Sequence, residues 1–163
     1  MVTKKAITEI QDLLNDYVAT HAVYIFKLYH RHFYVKGPHF FTLHEKFEEL
    51  YDEAIEDFDE LAERLLSIGG QPYSSMAEFL EHSALKEYTG DKNAKDTTFV
   101  SDTVEDLNTI RKNLIEGIKL TGDAGDDTTQ DLLIGYKTNI DKHLWMLEAF
   151  LGNEVSPADP MDN

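Results

Sequence analysis

Cysteine is missing from all 163 residues. Its absence excludes disulfides, thiolate metal ligands and cysteine nucleophiles, and it suits a reducing compartment. Any metal bound here must therefore use nitrogen and oxygen donors. Basic residues are scarce as well, with 15 Lys and Arg against 31 Asp and Glu and a formal charge of −16. Contacts to nucleic acid or anionic lipid rest on basic patches, so this balance points to cations as partners instead. Long apolar runs are also lacking: none approaches the roughly 18 residues needed to cross a bilayer. The opening MVTKKAITEIQD has no apolar stretch of the signal-peptide kind. The expectation is a soluble, cytoplasmic protein with no membrane contact, and 42% hydrophobic content over this length fits one domain spanning residues 1–163.

Helical periodicity fills most of the chain. Ile7, Ile10, Leu14, Tyr17, His21, Tyr24, Ile25 and Leu28 step by three and four, predicting a helix from about residue 4 to the Gly37-Pro38 break. Phe47, Leu50, Tyr51, Ala54, Phe58, Leu61, Leu65 and Ile68 form a second stripe, stopped by Gly69-Gly70. Residues 71–94 are long for a loop between antiparallel helices, so they predict a crossover, with a short helix at 75–81. Phe99, Val104, Leu107, Leu114 and Ile118 mark a third long helix, stopped near Gly122. Leu132, Leu133, Tyr136, Ile140, Leu144, Leu147 and Leu151 mark a fourth, with Asp126 or Asp127 as cap and Gly152 as its end. Strand signals are weak. The pattern is all-α: a ferritin-like four-helix bundle with a short helix in the long crossover between the second and third long helices. Residues 152–163, acidic and holding two prolines, predict a mobile tail.

The second helix carries ten carboxylates between residues 45 and 63 and few lysines to pair with them. Like charges so crowded cost stability unless a cation relieves them. His44 and Glu48 are one turn apart on one face, as are Asp59 and Glu63, and each pair makes one edge of a metal site. His44 and Asp59, however, are 15 residues or about 22 Å of helix axis apart, whereas a ligand bond is roughly 2–2.5 Å. One chain cannot close both pairs on one ion. All four residues nevertheless fall within about 60–100° on the helix surface, so a two-fold axis between antiparallel copies of this helix would build two identical sites between subunits. His32 joins from the end of the first helix, folded back by the Gly37-Pro38 turn.

Mixed histidine and carboxylate ligation suits Fe(II), and also Zn(II) or Mn(II). Several other chemistries fail on spacing: no histidine has Glu three residues before it, as a di-iron site inside one bundle expects. His44-Glu45-Lys46-Phe47-Glu48 misses the fifth position of the zinc-protease motif, and no phosphate-binding or dinucleotide glycine pattern is present.

The run His32-Phe-Tyr-Val-Lys-Gly37, followed by His44-Glu45, Asp59-Glu-Leu-Ala-Glu63-Arg64 and Gly69-Gly70, resembles the Dps family of miniferritins, named as DNA-binding proteins from starved cells. Asp126-Asp127 and Asp141-Lys142-His143-Leu144-Trp145 are similar to its last helix. The resemblance covers nearly the whole chain. It implies a hollow dodecamer built from C2 dimers, with ferroxidase centres formed by His32, His44 and Glu48 of one subunit and Asp59 and Glu63 of its mate. It further implies oxidation of Fe(II) to Fe(III), preferably by hydrogen peroxide, with storage of ferric mineral and protection against oxidative stress. Two departures matter. Phe33 stands where many members carry Trp, leaving no indole there to donate electrons. The basic terminal extension of DNA-binding members is reduced to Lys4 and Lys5, so direct DNA binding is not expected.

Three further groups complete the expectations. Asp123, Asp127 and Asp131, spaced by four, would line one helix face and make an acidic iron-entry pore about a three-fold axis, provided the last helix begins early enough. Glu45, Glu49 and Asp52 could seed mineral or form an ordinary solvated face. His21 and His143 fall in apolar stripes and read as packed, hydrogen-bonded residues; His30, His39 and His82 read as surface or interface groups, and Trp145 and Met146 as packing residues. The competing function is a structural nucleoid, DNA-protecting or surface-interaction protein with this fold and little ferroxidase activity.

Overall fold

The computed structural model describes residues 2–155, all helix and connection with no strand among them. Helix α1 runs Lys4–Tyr34, α2 Phe40–Ser67, α3 Met76–His82, α4 Asp96–Ala124 and α5 Asp127–Leu151. Side-chain caps mark the starts of α1, α3 and α5. The Thr3 side chain accepts from the Ala6 amide of α1, and Ser75 and Glu78 form a reciprocal capping box on α3. Asp126 caps α5 by accepting from the Thr129 amide, which settles the two candidates for that role.

The helices pair as two hairpins. α1 packs along α2 and α4 along α5, while α1 also touches α3 and α4. The crossover that carries the chain between hairpins is anchored by α1: Gln11 donates to the Ile68 carbonyl, and Asn15 both donates to Gln71 O and accepts from Tyr73 N. The apolar stripes meet in a core in which Ile10, Leu14, Leu28, Phe47, Leu61, Leu65, Phe99, Leu114 and Leu133 are essentially sealed from solvent.

Several expectations need correction. α4 passes through Gly122 and stops at Gly125, whose φ of +75° lies in the left-handed region that glycine adopts without Cβ strain. Gly122 has a different job, because a Cβ there would lie 2.3 Å from Gln130 Nε2 of the neighbouring helix. α5 ends at Gly152 as expected: the Gly152 and Asn153 amides donate to the Ala149 and Glu148 carbonyls, a Schellman ending. Residues 156–163 of the acidic tail lie outside the described residues. Trp145 and Met146 are 59% and 41% exposed, since the buried stripe of α5 runs through Leu133, Tyr136, Ile140, Leu144 and Leu147 and leaves them on the rim. His30 is half-buried, packed on Tyr34, Tyr88 and Phe99, rather than a plain surface group.

The least anticipated feature is ionic. Arg31 is 2% exposed and donates to Asp106 at 2.6 Å and to Thr103 at 3.0 Å, and Lys27 reaches the other Asp106 oxygen at 2.7 Å. This cluster clamps the C-terminal end of α1 to α4, with both carboxylate oxygens satisfied.

Candidate metal centre

His32 sits in the last turn of α1 and His44 in the second turn of α2, brought together by the short reversal at residues 35–39. Their rings stack, with centroids 3.7 Å apart and planes 18° from parallel. His32 Nδ1 lies 2.9 Å from the His44 carbonyl, and His44 Nδ1 lies 3.0 Å from the His32 carbonyl. A carbonyl can only accept, so both Nδ1 atoms must carry the proton, and in each neutral ring Nε2 keeps its lone pair. Fixing a ligand histidine through its second nitrogen in this way is the usual device for orienting it towards a metal. Phe40 stacks on the outer side of His44 with centroids 5.0 Å apart.

Two tyrosines complete the surroundings. Tyr51 meets His32 edge-on at 5.3 Å and stacks on Tyr29 at 4.2 Å. Partial desolvation raises the Tyr51 hydroxyl above its ordinary pKa, with the charge of nearby Glu48 adding to the shift. Neither residue stands out as functional in the sequence: Tyr51 falls on the α2 apolar stripe and reads as packing, and Tyr29 falls outside the α1 stripe.

Glu48, Asp59 and Glu63 are all exposed on α2. Among the described residues, no group of three or more His, Asp or Glu is placed to hold an ion. His44 and Glu48 lie near the start of α2, and Asp59 and Glu63 lie towards its end.

The rest of the acidic stretch is partly relieved by the protein itself. Glu49 takes Lys46 at 3.0 Å, Glu60 accepts from the Tyr136 hydroxyl at 2.8 Å, and Glu53 is hydrogen-bonded to His143. The His143 contact holds the Glu53 carboxyl below its usual range. His21 and His143, both buried, are packed and hydrogen-bonded as expected. Burial pushes the His21 pKa down to about 4. Burial, reinforced by Glu53, Glu60 and Glu56, pushes Asp57 up to about 7. His21, Glu53, Asp57 and His143 line a cavity of ≈ 20 Å³ together with Tyr24, room for a single water.

The remaining predicted residues divide. Glu45, Glu49 and Asp52 are exposed along one side of α2. Asp127 and Asp131 are exposed one turn apart on α5, but Asp123 belongs to α4 and pairs with Lys119 at 2.5 Å. The Gly125-Asp126 reversal separates it, so the three aspartates do not share a helix face.

A family model for the ferritin-like domain matches residues 11–155. The DNA protection during starvation protein of Listeria innocua is 44% identical over 144 residues, covering 88% of this chain and 92% of that one. This chain belongs to the Dps family of ferritin-like proteins. General stress protein 20U of Bacillus subtilis is another relative, 45% identical over 139 residues with coverage of 85% and 94%. Among solved structures, Dps from Listeria innocua soaked with cobalt superposes with a TM-score of 0.87 at 44% identity, covering 89% of this chain and 93% of that one. Antigen TpF1 from Treponema pallidum reaches 0.90 at 31% identity, with coverage of 93% and 96%. The Dps fold therefore accounts for both hairpins and the crossover. Among the described residues no helix is long and apolar enough to cross a membrane.

Proposed function

We propose that this Dps-family chain is a ferroxidase, oxidising Fe(II) with hydrogen peroxide at sites shared between two subunits and storing the ferric product inside a hollow dodecamer in the cytoplasm. The observation that carries the proposal is the reciprocal His32–His44 pair, which fixes two stacked imidazoles through Nδ1 and leaves the Nε2 of each unused by that contact. Glu48 follows one turn after His44. Asp59 and Glu63 of a second copy supply the opposite edge.

The surface of α2 supports that pairing. Exposed Ile55 and Leu66, 41% and 58% accessible, lie within about 40° of His44 around the helix, on the face that carries the ligands. Burying these apolar side chains against a second α2 would align the two half-sites about a two-fold axis, with Ile55 near its centre. Work on a relative is in keeping: Dps from Listeria innocua has been soaked with cobalt and with zinc, and a variant of it with two histidines twelve positions apart replaced by glycine shares the fold of this chain. His32 and His44 are also twelve apart. Zn(II) or Mn(II) would compete for the same donors.

Iron is the substrate, and the protein's part is positional. The tied imidazoles pay no reorientation cost on binding, and the carboxylates supply negative charge that favours the ferric product. Asp127 and Asp131, with Asp123 across the turn, form the acidic entry route, while Glu45, Glu49 and Asp52 provide a carboxylate surface for mineral growth. The test is ferric absorbance after anaerobic Fe(II) loading and peroxide addition. His32→Ala combined with Asp59→Ala should abolish fast oxidation, and a variant as fast as the parent removes the assignment. Light scattering should give the mass of an assembly, since a monomer would leave the half-sites apart.

The names of the relatives raise a second reading, protection of DNA by binding it. With a formal charge of −16, direct condensation is disfavoured. Retention of plasmid in a low-salt gel shift without added metal would contradict this.

A further inference from the structure

Tyr24 is 4% exposed, and its hydroxyl is one of three buried side-chain polar atoms that meet no hydrogen-bond partner among the described residues. An orphaned hydroxyl in a core is costly, so it needs either a cause or a guest. Tyr24 forms part of the wall of the ≈ 20 Å³ cavity between α1, α2, α4 and α5. His21, one turn earlier on α1, lines the same cavity. Its Nδ1 lies 2.9 Å from the Tyr17 carbonyl, and because a carbonyl only accepts, Nδ1 carries the proton and Nε2 presents a lone pair. That Nε2 stands 3.9 Å from Asp57 Oδ2 on α2, too far for a direct hydrogen bond and close enough for one water to reach both. The remaining polar walls are already engaged. Lys46, which can only donate, lies 3.1 Å from His143 Nδ1, so His143 carries its proton on Nε2 and donates it to Glu53. From α4 the cavity meets only the aliphatic side chains of Leu107 and Ile110.

We propose that the bundle core is a built hydration site: one ordered water held by Tyr24, His21 and Asp57, joining α1 to α2. Its two hydrogens go to His21 Nε2 and to an Asp57 carboxylate oxygen, and its lone pair accepts the Tyr24 hydroxyl. Three bonds is the usual count for a buried water, and none of the three protein groups is then left unmet. A protonated Asp57 donates to the second lone pair of the water instead, so the site holds in either state of that carboxyl. The inference does not rest on the ferroxidase reading, although it bears on the same helix. Asp57 and Asp59 are two residues apart, about 200° around α2, so the water tethers the inner face of the helix whose outer face carries Asp59.

The test is a high-resolution crystal structure of the full-length assembled protein, joined to urea unfolding of Tyr24→Phe at fixed protein concentration. The expected result is a single water peak within hydrogen-bonding distance of Tyr24 Oη, His21 Nε2 and the Asp57 carboxyl. An empty cavity, a Tyr24 hydroxyl bonded directly to protein, or an ion at metal–ligand distances would each overturn the proposal. Unfolding supplies a sign. With the water in place, Tyr24→Phe loses a hydrogen bond and the folded-to-unfolded ratio should fall roughly five-fold. With an orphaned hydroxyl, its removal should leave that ratio unchanged or raise it, and either result refutes the site. In His21→Leu/Tyr24→Phe/Asp57→Leu all three partners become hydrocarbon and the core should be dry; a water persisting there would show that these groups do not hold it. The parent crystal and Tyr24→Phe decide the matter even if the triple variant fails to assemble.

Discussion

A mixing experiment tests the shared-site geometry through a number fixed by symmetry. One variant, His32→Ala/His44→Ala, keeps its carboxylates but has no nitrogen donors; the other, Asp59→Ala/Glu63→Ala, keeps the stacked histidines but loses the far edge. Each alone should oxidise Fe(II) near background, because every site lacks one half. The 15 residues from His44 to Asp59 put about 22 Å of helix between the halves, so no rearrangement short of unfolding α2 lets one chain repair itself. When the two are co-expressed in equal amounts and assemble at random, a complete site needs histidines from an acid-deficient chain and carboxylates from a histidine-deficient one. Each condition is met with probability about one half, so about a quarter of the sites, and of the parental initial rate, should return. The assay is stopped-flow ferric absorbance on assemblies captured through both of two distinct affinity tags, with subunit ratio fixed by mass spectrometry. A mixed assembly no faster than either variant alone would refute the shared site, and so would substantial activity in one unmixed variant.

Other perturbations follow from the interior. Asp106→Ala would leave Arg31 charged and unpaired in the core, at a cost of about 3–5 kcal/mol; urea unfolding at fixed protein concentration should show it, and Arg31→Met/Asp106→Leu should recover much of the loss. Asp126→Ala removes the cap that accepts from the Thr129 amide and also the partner of Arg64 at 2.9 Å, so about 1–2 kcal/mol should be lost; a change below the error of the denaturation midpoint would contradict the cap's role. His21 has a folded pKa of about 4 against an ordinary 6.5, so the unfolded chain binds the extra proton first as the solution is acidified. The His21 contribution should therefore fall between pH 6.5 and 4 by up to about 3 kcal/mol, while Asp57, pushed up to about 7, contributes in the opposite sense over the same range. The effect is read as a difference: the stability of the parent relative to His21→Gln should fall across that window, and a difference independent of pH would show that the proton goes elsewhere.

The sequence made the bundle legible because the long helices are amphipathic and their ends carry caps and glycines. It misplaced the end of α4, since Gly122 and Gly125 look alike as letters and only the packing of Gln130 shows which one is needed for closeness and which for its backbone angle. The same error aligned Asp123 with Asp127 and Asp131 along a helix that is in fact interrupted by a reversal. Arg31 extends the α1 stripe at the expected step of three after Leu28, and Thr103 and Asp106 are a step of three apart on α4. That signal was present, but reading it required pairing residues across 75 positions. The stacking of His32 on His44 was out of reach for a different reason. Spacing can place two rings on neighbouring helix ends, but not reveal that each donates to the other's backbone.

That exchange makes the two histidines chemically interdependent. The carbonyl that orients His32 belongs to the His44 residue, and the reverse, so the contact is a two-way latch across the α1–α2 reversal. Closing the hairpin and preparing the nitrogen donors are then a single event in folding. A newly folded subunit already carries a primed but incomplete half-centre, and on the shared-site reading its chemistry is withheld until a second copy arrives. On that reading, assembly itself is the safeguard against uncontrolled iron oxidation by lone subunits.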